Sequence, residues 1–349
     1  MAFTQKNHYV PRLYLKHFAD ESGYLYRYKT LIPKSNVRKW KRVNIGGVGY
    51  HLHLYTRVLA DGQTDEIEQW LNRDFETPAE ESIGKAVTGD RLTKEDYRLL
   101  TRFVAAQIVR TPAFLIENLP RWRELAEREV KQVSKRIEDR IAQSRYTSES
   151  FEEEPSPDTE YYPFRISSEN SPDGKSVFLK AETVVGRGTW IFAMRHLLIN
   201  TVHRLSEHKW TILSAEDDLP WFTTDDPVVR LNFRNASDYD FKGAWGVPKT
   251  NIFLPLSPSH LLFTQVGERS FQRNEILPRH MAITIRKMIA EHAHRYIFSP
   301  APDNTIPQFR PQIVDADAMK NEQEQWRIWH EEQSAAERKL LSSRHSATS

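Results

Sequence analysis

Three short segments of the chain combine residue types that act in proton transfer and anion binding. His8 lies near the start, Arg110 ends a predicted helix, and Asp225 and Asp226 precede Pro227. An imidazole titrates at about pH 6.5 and acts as general base, proton donor or metal ligand. A guanidinium binds a phosphate or carboxylate, and a carboxylate orients an imidazole or holds a divalent ion. We therefore predict that His8, Arg110 and one of the two aspartates converge on one polar pocket.

Each of these residues can also have a purely structural role. His8 can hydrogen-bond a backbone group and anchor the N-terminus. Adjacent side chains in a strand point to opposite faces, so we expect one of Asp225 and Asp226 to face a cleft and the other to cap a turn. In the same interpretation Arg110 pairs with one of these aspartates as a structural ion pair.

Further candidates flank the same motifs. Arg12 and Tyr14 follow His8, and Gln107 shares a helical face with Arg110, so we assign all three to substrate binding. A divalent metal ion is the cofactor that the aspartates suggest, with no ligand set defined. The chain has no cysteine, which excludes disulfides, thiolate catalysis and Cys-ligated zinc. It also lacks a His-Glu-x-x-His motif, an EF-hand loop, a Walker loop and a Gly-x-Ser-x-Gly elbow.

Charge is unevenly distributed along the 349 residues. Residues 1–60 hold 11 Lys/Arg and 2 acidic residues (11 − 2 = +9), whereas the whole chain carries only +2. The same segment holds ten aromatic residues. Basic groups neutralise phosphates and flat rings stack on bases, so nucleic acid or a nucleotide is the expected partner. A solvated basic face around a strand is the alternative. No apolar run approaches the roughly 18 residues that span a bilayer, so we expect a cytoplasmic protein without a membrane partner.

Local patterns predict both helices and strands. Tyr24, Tyr26 and Tyr28 alternate along a strand over residues 22–30, and Thr93 opens a helix through a capping box with Asp96. Further helices are predicted at 65–75, 78–87, 121–145, 177–205 and 279–292, and further strands at 51–55, 210–214, 222–231, 252–256, 261–265 and 296–299. This order predicts an α+β protein, a single compact unit with helices packed on a small mixed or antiparallel β-sheet. We expect one domain over 1–310 with a flexible insertion at 148–174, then a C-terminal helix and disordered tail over 311–349.

Five segments resemble the DUF4238 family, which is named for a domain of unknown function. They are Asn7–Phe18, Phe103–Pro112, Trp221–Val228, Phe253–Pro258 and, more weakly, Ala293–Ser299. This chain has Thr224-Asp225 where the family pattern has Ser-Asp, and Asp226 where Asn is usual. The resemblance implies one shared fold over about residues 7–299 and no particular activity.

Two classes of function fit these observations. The first is a hydrolase, nuclease or phosphodiesterase-like, that acts on a phosphodiester, nucleic acid or nucleotide through a His/Arg/Asp pocket. The second is a non-enzymatic nucleic-acid-binding or interaction protein that uses the basic, aromatic N-terminal region. The two are separated by whether His8, Arg110 and the aspartates meet in a cleft or only brace the fold.

Overall fold

The computed structural model describes residues 3–59, 62–144, 164–170, 177–269 and 271–345. The strands are Lys6–His8 (β1), Tyr24–Lys29 (β2), Leu31–Ile32 (β3), Trp40–Asn44 (β4), Tyr50–Leu52 (β5), Arg57–Leu59 (β6), Gly62–Thr64 (β7), Phe164–Asn170 (β8), Val177–Thr183 (β9), Thr211–Ser214 (β10), Thr223–Thr224 (β11), Val229–Asn235 (β12), Asp238–Asp240 (β13), Thr250–Ser257 (β14), His260–Gln265 (β15), Glu275–Ile276 (β16), Tyr296–Ser299 (β17) and Ile313–Val314 (β18). The helices are Arg12–Leu15 (α1), Glu66–Leu71 (α2), Thr77–Thr88 (α3), Lys94–Val109 (α4), Pro112–Ser144 (α5), Arg187–His196 (α6), His203–Ser206 (α7), Arg279–His292 (α8), Ile306–Phe309 (α9) and Ala316–His345 (α10). Turns of 3-10 helix cover Lys16–Phe18 and Ile45–Gly47, and π-helical turns cover Asn72–Glu76 and Leu197–Thr201.

Two sheets carry most of the strands. The larger has the order β13-β12-β14-β15-β10-β16 and is antiparallel except for the parallel β10–β16 pair. The smaller has the order β11-β17-β2-β4 and is antiparallel throughout. The central strand β14 is buried along its whole length, and α8 packs with β11 and β12. The predicted α+β class is therefore confirmed, with several sheets in place of one small sheet.

Helix α4 forms as its sequence predicts. The Thr93 side chain accepts a hydrogen bond from the Asp96 N–H, and the Asp96 carboxylate accepts from the Thr93 N–H, which completes the capping box. Arg110 ends the helix, and Pro112 opens α5, where its missing N–H costs no helical hydrogen bond. Most of the second half of α4 is buried, so its end is a fixed point in the core.

The N-terminal motif packs against the segment that carries the aspartates. The Tyr14 hydroxyl lies 2.6 Å from Thr223 Oγ1 and donates to the Pro255 carbonyl oxygen at 2.5 Å. Tyr9, Leu15 and Phe18 are buried in the same core. The N-terminal motif thus docks against residues 221–228 through Tyr14.

The region after α5 differs from the sequence-based prediction. Val177–Thr183 is a strand paired antiparallel with Phe164–Asn170, and the following helix begins only at Arg187. The β-branched and aromatic residues of both segments favour this pairing over the predicted helix and insertion. The rest of the predicted insertion, 148–163 and 171–174, lies outside the described residues. At the C-terminus, where a helix and a tail are predicted over 311–349, the helix covers Ala316–His345, and residues 346–349 are outside the described ranges.

No single helix in the described ranges is long and apolar enough to cross a membrane. Helix α4 and Pro112–Glu129 are long and apolar enough only when they are taken together, and the two are bent by 61° relative to each other.

Candidate functional site

A polar cavity of about 230 Å³ lies where the N-terminal motif, the Asp225 turn and helix α10 meet. The titratable side chains in its lining are Tyr9, His51, Asp225, His294, Arg295, Tyr296 and Glu322. A larger groove of about 550 Å³ between α8 and the six-stranded sheet is lined mainly by phenylalanine, methionine and aliphatic side chains. The smaller cavity therefore concentrates the proton-transfer groups.

Asp225 is fixed by the backbone that precedes β17. Its N–H donates to the Tyr296 carbonyl oxygen at 3.0 Å, which extends the β11–β17 pairing. Its Oδ1 accepts from the His294 N–H at 3.0 Å, and its Oδ2 accepts from the Arg295 N–H at 2.8 Å. Burial raises the Asp225 pKa to about 7, although these N–H donors act in the opposite direction. One carboxylate thus holds a histidine and an arginine at the cavity.

Two neutral imidazoles line the cavity. Burial lowers the pKa of His51 to about 4 and that of His294 to about 3. The His51 ring stacks on Trp326, with ring centroids 4.1 Å apart, and on Tyr9 at 5.5 Å. The buried His294 Nε2 has no hydrogen-bond partner within the described ranges. Both imidazoles are therefore uncharged at neutral pH, and His294 has an unused acceptor or donor.

Positive charge reaches the cavity through Arg295. Its Nε donates to Glu322 Oε2 at 2.5 Å, and its Nη1 donates to the His294 carbonyl oxygen at 2.9 Å. Glu322 lies on α10, so this ion pair joins the C-terminal helix to the segment that Asp225 holds. The pKa of Tyr9 is raised by burial and by the neighbouring Asp225 charge, so its hydroxyl stays protonated.

Asp226 faces a different set of partners. Its Oδ1 accepts from Thr111 Oγ1 at 3.1 Å, and its Oδ2 lies 3.6 Å from His292 Nδ1. Its N–H donates to Thr224 Oγ1 at 3.2 Å, and this hydroxyl donates to the Asp226 carbonyl oxygen, which forms the turn before Pro227. Burial raises the Asp226 pKa to about 7. Asp226 does not line the cavity, so the two neighbouring aspartates serve separate surroundings.

Arg110 is fully buried in a separate ion cluster. Its Nη1 donates to Glu76 Oε1 at 2.5 Å, its Nη2 lies 3.8 Å from Glu68 Oε2, and it also donates to the His8 carbonyl oxygen. These charges raise the Arg110 pKa against the effect of burial, and burial raises the Glu68 pKa to about 7. Neither Asp225 nor Asp226 forms an ion pair with Arg110 in the described structure. Arg110 braces the N-terminal motif through the main chain of His8.

The other predicted site residues are distributed around this brace. The His8 ring packs against Tyr50, with ring centroids 5.5 Å apart, and burial with the nearby Lys6 lowers its pKa to about 4. Arg12 is exposed, and Tyr14 is bound to the core as described above. Gln107 is fully buried, and neither atom of its amide group has a partner in the described part of the chain. None of His8, Arg12, Tyr14 or Gln107 lines the cavity.

The structure therefore assembles the predicted residue types from mostly different positions. Asp225 is shared, but the histidines are His51 and His294 and the arginine is Arg295. His294 and Arg295 lie in the weakest of the five family segments. Their position directly before a predicted short strand is the feature of the sequence that could have identified them as site residues. Glu322 and Trp326 come from a polar C-terminal helix, where the sequence gives no such signal.

A metal site is not defined by the described side chains. In the described ranges, no three His, Asp or Glu side chains are grouped as metal ligands.

The chain belongs to the DUF4238 family, described as a protein of unknown function, whose model matches residues 6–303. The match includes Tyr9, His51, Asp225, His294 and Arg295, and it ends before α10. No curated protein and no solved structure matches the chain.

Proposed function

We propose that the protein is a hydrolase of phosphodiester bonds in a nucleotide or nucleic acid, and that the reacting phosphate enters the cavity at Asp225. The observation that carries this proposal is the double hydrogen bond from the His294 and Arg295 amides to the Asp225 carboxylate. It holds a proton-transfer group and a cation side by side, and the imidazole Nε2 has no partner in the described structure.

The geometry supports acid–base catalysis by two histidines. The negative charge of a bound phosphodiester raises the pKa of a nearby imidazole. One of His51 and His294 then enters the reaction protonated and donates to the leaving oxygen, while the other is neutral and accepts the proton of the attacking water. The Arg295 guanidinium stabilises the charge on the phosphoryl oxygens. Asp225 touches neither reacting atom and acts by positioning His294 and Arg295.

The test is hydrolysis of bis(p-nitrophenyl) phosphate and of a short labelled oligonucleotide by the wild-type chain and by His294→Ala and His51→Ala variants. General acid–base groups contribute about 10²–10⁴-fold, so each variant should lose at least about 10²-fold in kcat. His203→Ala is the matched control, because His203 is exposed on α7. Hydrolysis that survives both site substitutions unchanged, or that is absent with every phosphodiester, contradicts the proposal.

A second candidate function is binding of single-stranded nucleic acid on the β2–β4 face. Tyr24, Tyr26 and Arg42 share this face, and the Arg42 guanidinium lies 4.4 Å from the Tyr24 ring centroid. Tyr24 is exposed and Tyr26 is partly buried, and rings beside a cation suit base stacking, at about 1–3 kcal/mol for each stacked base. Fluorescence anisotropy with a labelled oligonucleotide tests this function: Tyr26→Ala should weaken binding, and equal affinity of variant and wild type would contradict it.

A further inference from the structure

One wall of the cavity comes from outside the segment that defines the family. Glu322, Gln323 and Trp326 line the cavity, and all three lie on α10. The family match ends at residue 303, whereas the opposing residues Asp225 and His294 lie within it. The size of this cavity therefore depends on an element that is separate from the family segment.

Helix α10 is attached mainly by polar and ring contacts. Ser334 is the one fully buried residue among its described side chains, and Trp326 is only half-buried. Trp326 stacks on His51 and, one helical turn later, His330 stacks on His53, each with ring centroids 4.1 Å apart. Residues i and i+4 of a helix share a face, so these two stacks form one continuous seam. Trp326 and Trp329 pack against the core but are only partly buried, so α10 buries less apolar surface than α4, and segments of this kind open at lower free energy.

A buried arginine closes the far end of the same seam. The Arg187 Nε and Nη2 donate to the two carboxylate oxygens of Glu337 at 2.9 and 2.8 Å. Arg187 also donates to Ser334 Oγ at 3.2 Å, and its main-chain N–H donates to Gln333 Oε1 at 2.7 Å. Glu337 accepts a further bond from the Val58 N–H at 3.0 Å. The Arg187 and Glu337 charges become hydrated if α10 undocks, which offsets part of the cost of breaking the ion pair. The ion pair therefore fixes where α10 docks without burying apolar surface.

We infer that α10 is a displaceable wall that sets the size of the group the site admits. The docked cavity of about 230 Å³ is smaller than the roughly 300–1,000 Å³ typical of ligand sites. With α10 docked, the site accepts a phosphate and the atoms next to it. A longer nucleotide chain enters when the seam at His51 and His53 opens. In naming this substrate, the inference rests on the function proposed above.

Access to His51 can be measured without any substrate. Diethyl pyrocarbonate modifies accessible neutral imidazoles, and mass spectrometry resolves each histidine. Glu337→Gln removes the charge that balances buried Arg187 and should accelerate His51 modification at least about tenfold. A tenfold increase corresponds to a loss of about 1.4 kcal/mol in the free energy of α10 docking. Exposed His203 and buried His292 serve as references and should keep their wild-type rates. Glu332→Gln, on the exposed face of the same helix, is the matched control and should also match wild type.

Two results would overturn the inference. An unchanged His51 rate in Glu337→Gln shows that α10 does not open, and an equal increase at His292 shows that α10 is integral to the fold. Hydrogen exchange of the unmodified chain gives a second measurement, in which the α10 amides should exchange at least about tenfold faster than those of α4. Because neither readout needs turnover, absence of phosphodiester hydrolysis would contradict the proposed function and leave the displacement of α10 standing. If both hold, Glu337→Gln should raise kcat/KM for the oligonucleotide relative to bis(p-nitrophenyl) phosphate.

Discussion

Replacing Asp225 with asparagine tests whether one carboxylate organises the site. Asparagine keeps the size of the side chain and retains one acceptor oxygen. The carboxylate accepts from two amides, those of His294 at 3.0 Å and Arg295 at 2.8 Å, so one of these N–H groups faces an NH₂ group in the variant. A buried donor without an acceptor costs about 1–3 kcal/mol. The removal of a charge that burial disfavours offsets part of this, so we expect a net loss of about 1–2 kcal/mol in the free energy of unfolding.

The assay is urea unfolding followed by tryptophan fluorescence, with hydrogen exchange of the peptide around residues 293–299 as the local readout. Asp226→Asn is the matched control, because its oxygen can still accept the Thr111 hydroxyl, and we expect it to cost less than Asp225→Asn. The His294 and Arg295 amides should lose protection in the Asp225 variant alone. Wild-type stability and wild-type protection in Asp225→Asn would refute the organising role of this carboxylate.

Three further predictions concern stability. Burial lowers the pKa of His294 to about 3 in the folded chain, whereas in the unfolded chain the imidazole binds a proton near pH 6.5. The free energy of unfolding therefore decreases as pH falls below about 6.5, because only the unfolded chain takes up this proton. His294→Gln should flatten the dependence of unfolding free energy on pH by about 1.4 kcal/mol per pH unit between about 4 and 6.5, and an unchanged slope would count against its burial. Glu76→Gln leaves the Arg110 guanidinium without its nearest charge and should cost about 3–5 kcal/mol in urea unfolding, against less than about 1 kcal/mol for Glu95→Gln, whose pair with Arg98 is exposed; equal losses would contradict the brace. Tyr14→Phe removes the hydroxyl that contacts Thr223 and Pro255 and should lower the unfolding free energy by about 1–3 kcal/mol, whereas a neutral effect would show that this contact does not anchor the N-terminus.

Local signals in the sequence were sufficient for some elements of the fold and not for others. The capping box of Thr93 and Asp96 fixes the start of α4, because it depends on residues three positions apart. Helix α5 begins at Pro112, before the start at residue 121 that the sequence predicts. The strand Val177–Thr183 was mispredicted as helix because its pairing with Phe164–Asn170 is a contact between separate segments. Such pairing overrides local preference and is not visible in either segment alone.

Which residues form the candidate site depends on contacts between distant segments, and the local sequence does not show these contacts. Arg110 was identified as an anion-binding group, and its partners are indeed carboxylates, but they are Glu76 and Glu68 from the π-helical turn and α2. Which carboxylate reaches a buried guanidinium depends on how the helices pack. For the same reason, His8 was a reasonable candidate by residue type, yet it is the adjacent Tyr9 that lines the cavity.

One difference between two adjacent aspartates links the fold to the proposed chemistry. Asp225 is buried and Asp226 is partly buried, and both have their pKa raised to about 7, so titration does not distinguish them. Their partners do, because Asp225 binds the backbone of His294 and Arg295, whereas Asp226 binds Thr111 at the start of α5. The first aspartate places an imidazole and a guanidinium beside a cavity, and the second joins the turn to a helix. In the proposed mechanism, Asp225 acts through the backbone that it holds, and the side chains carried by that backbone contact the substrate.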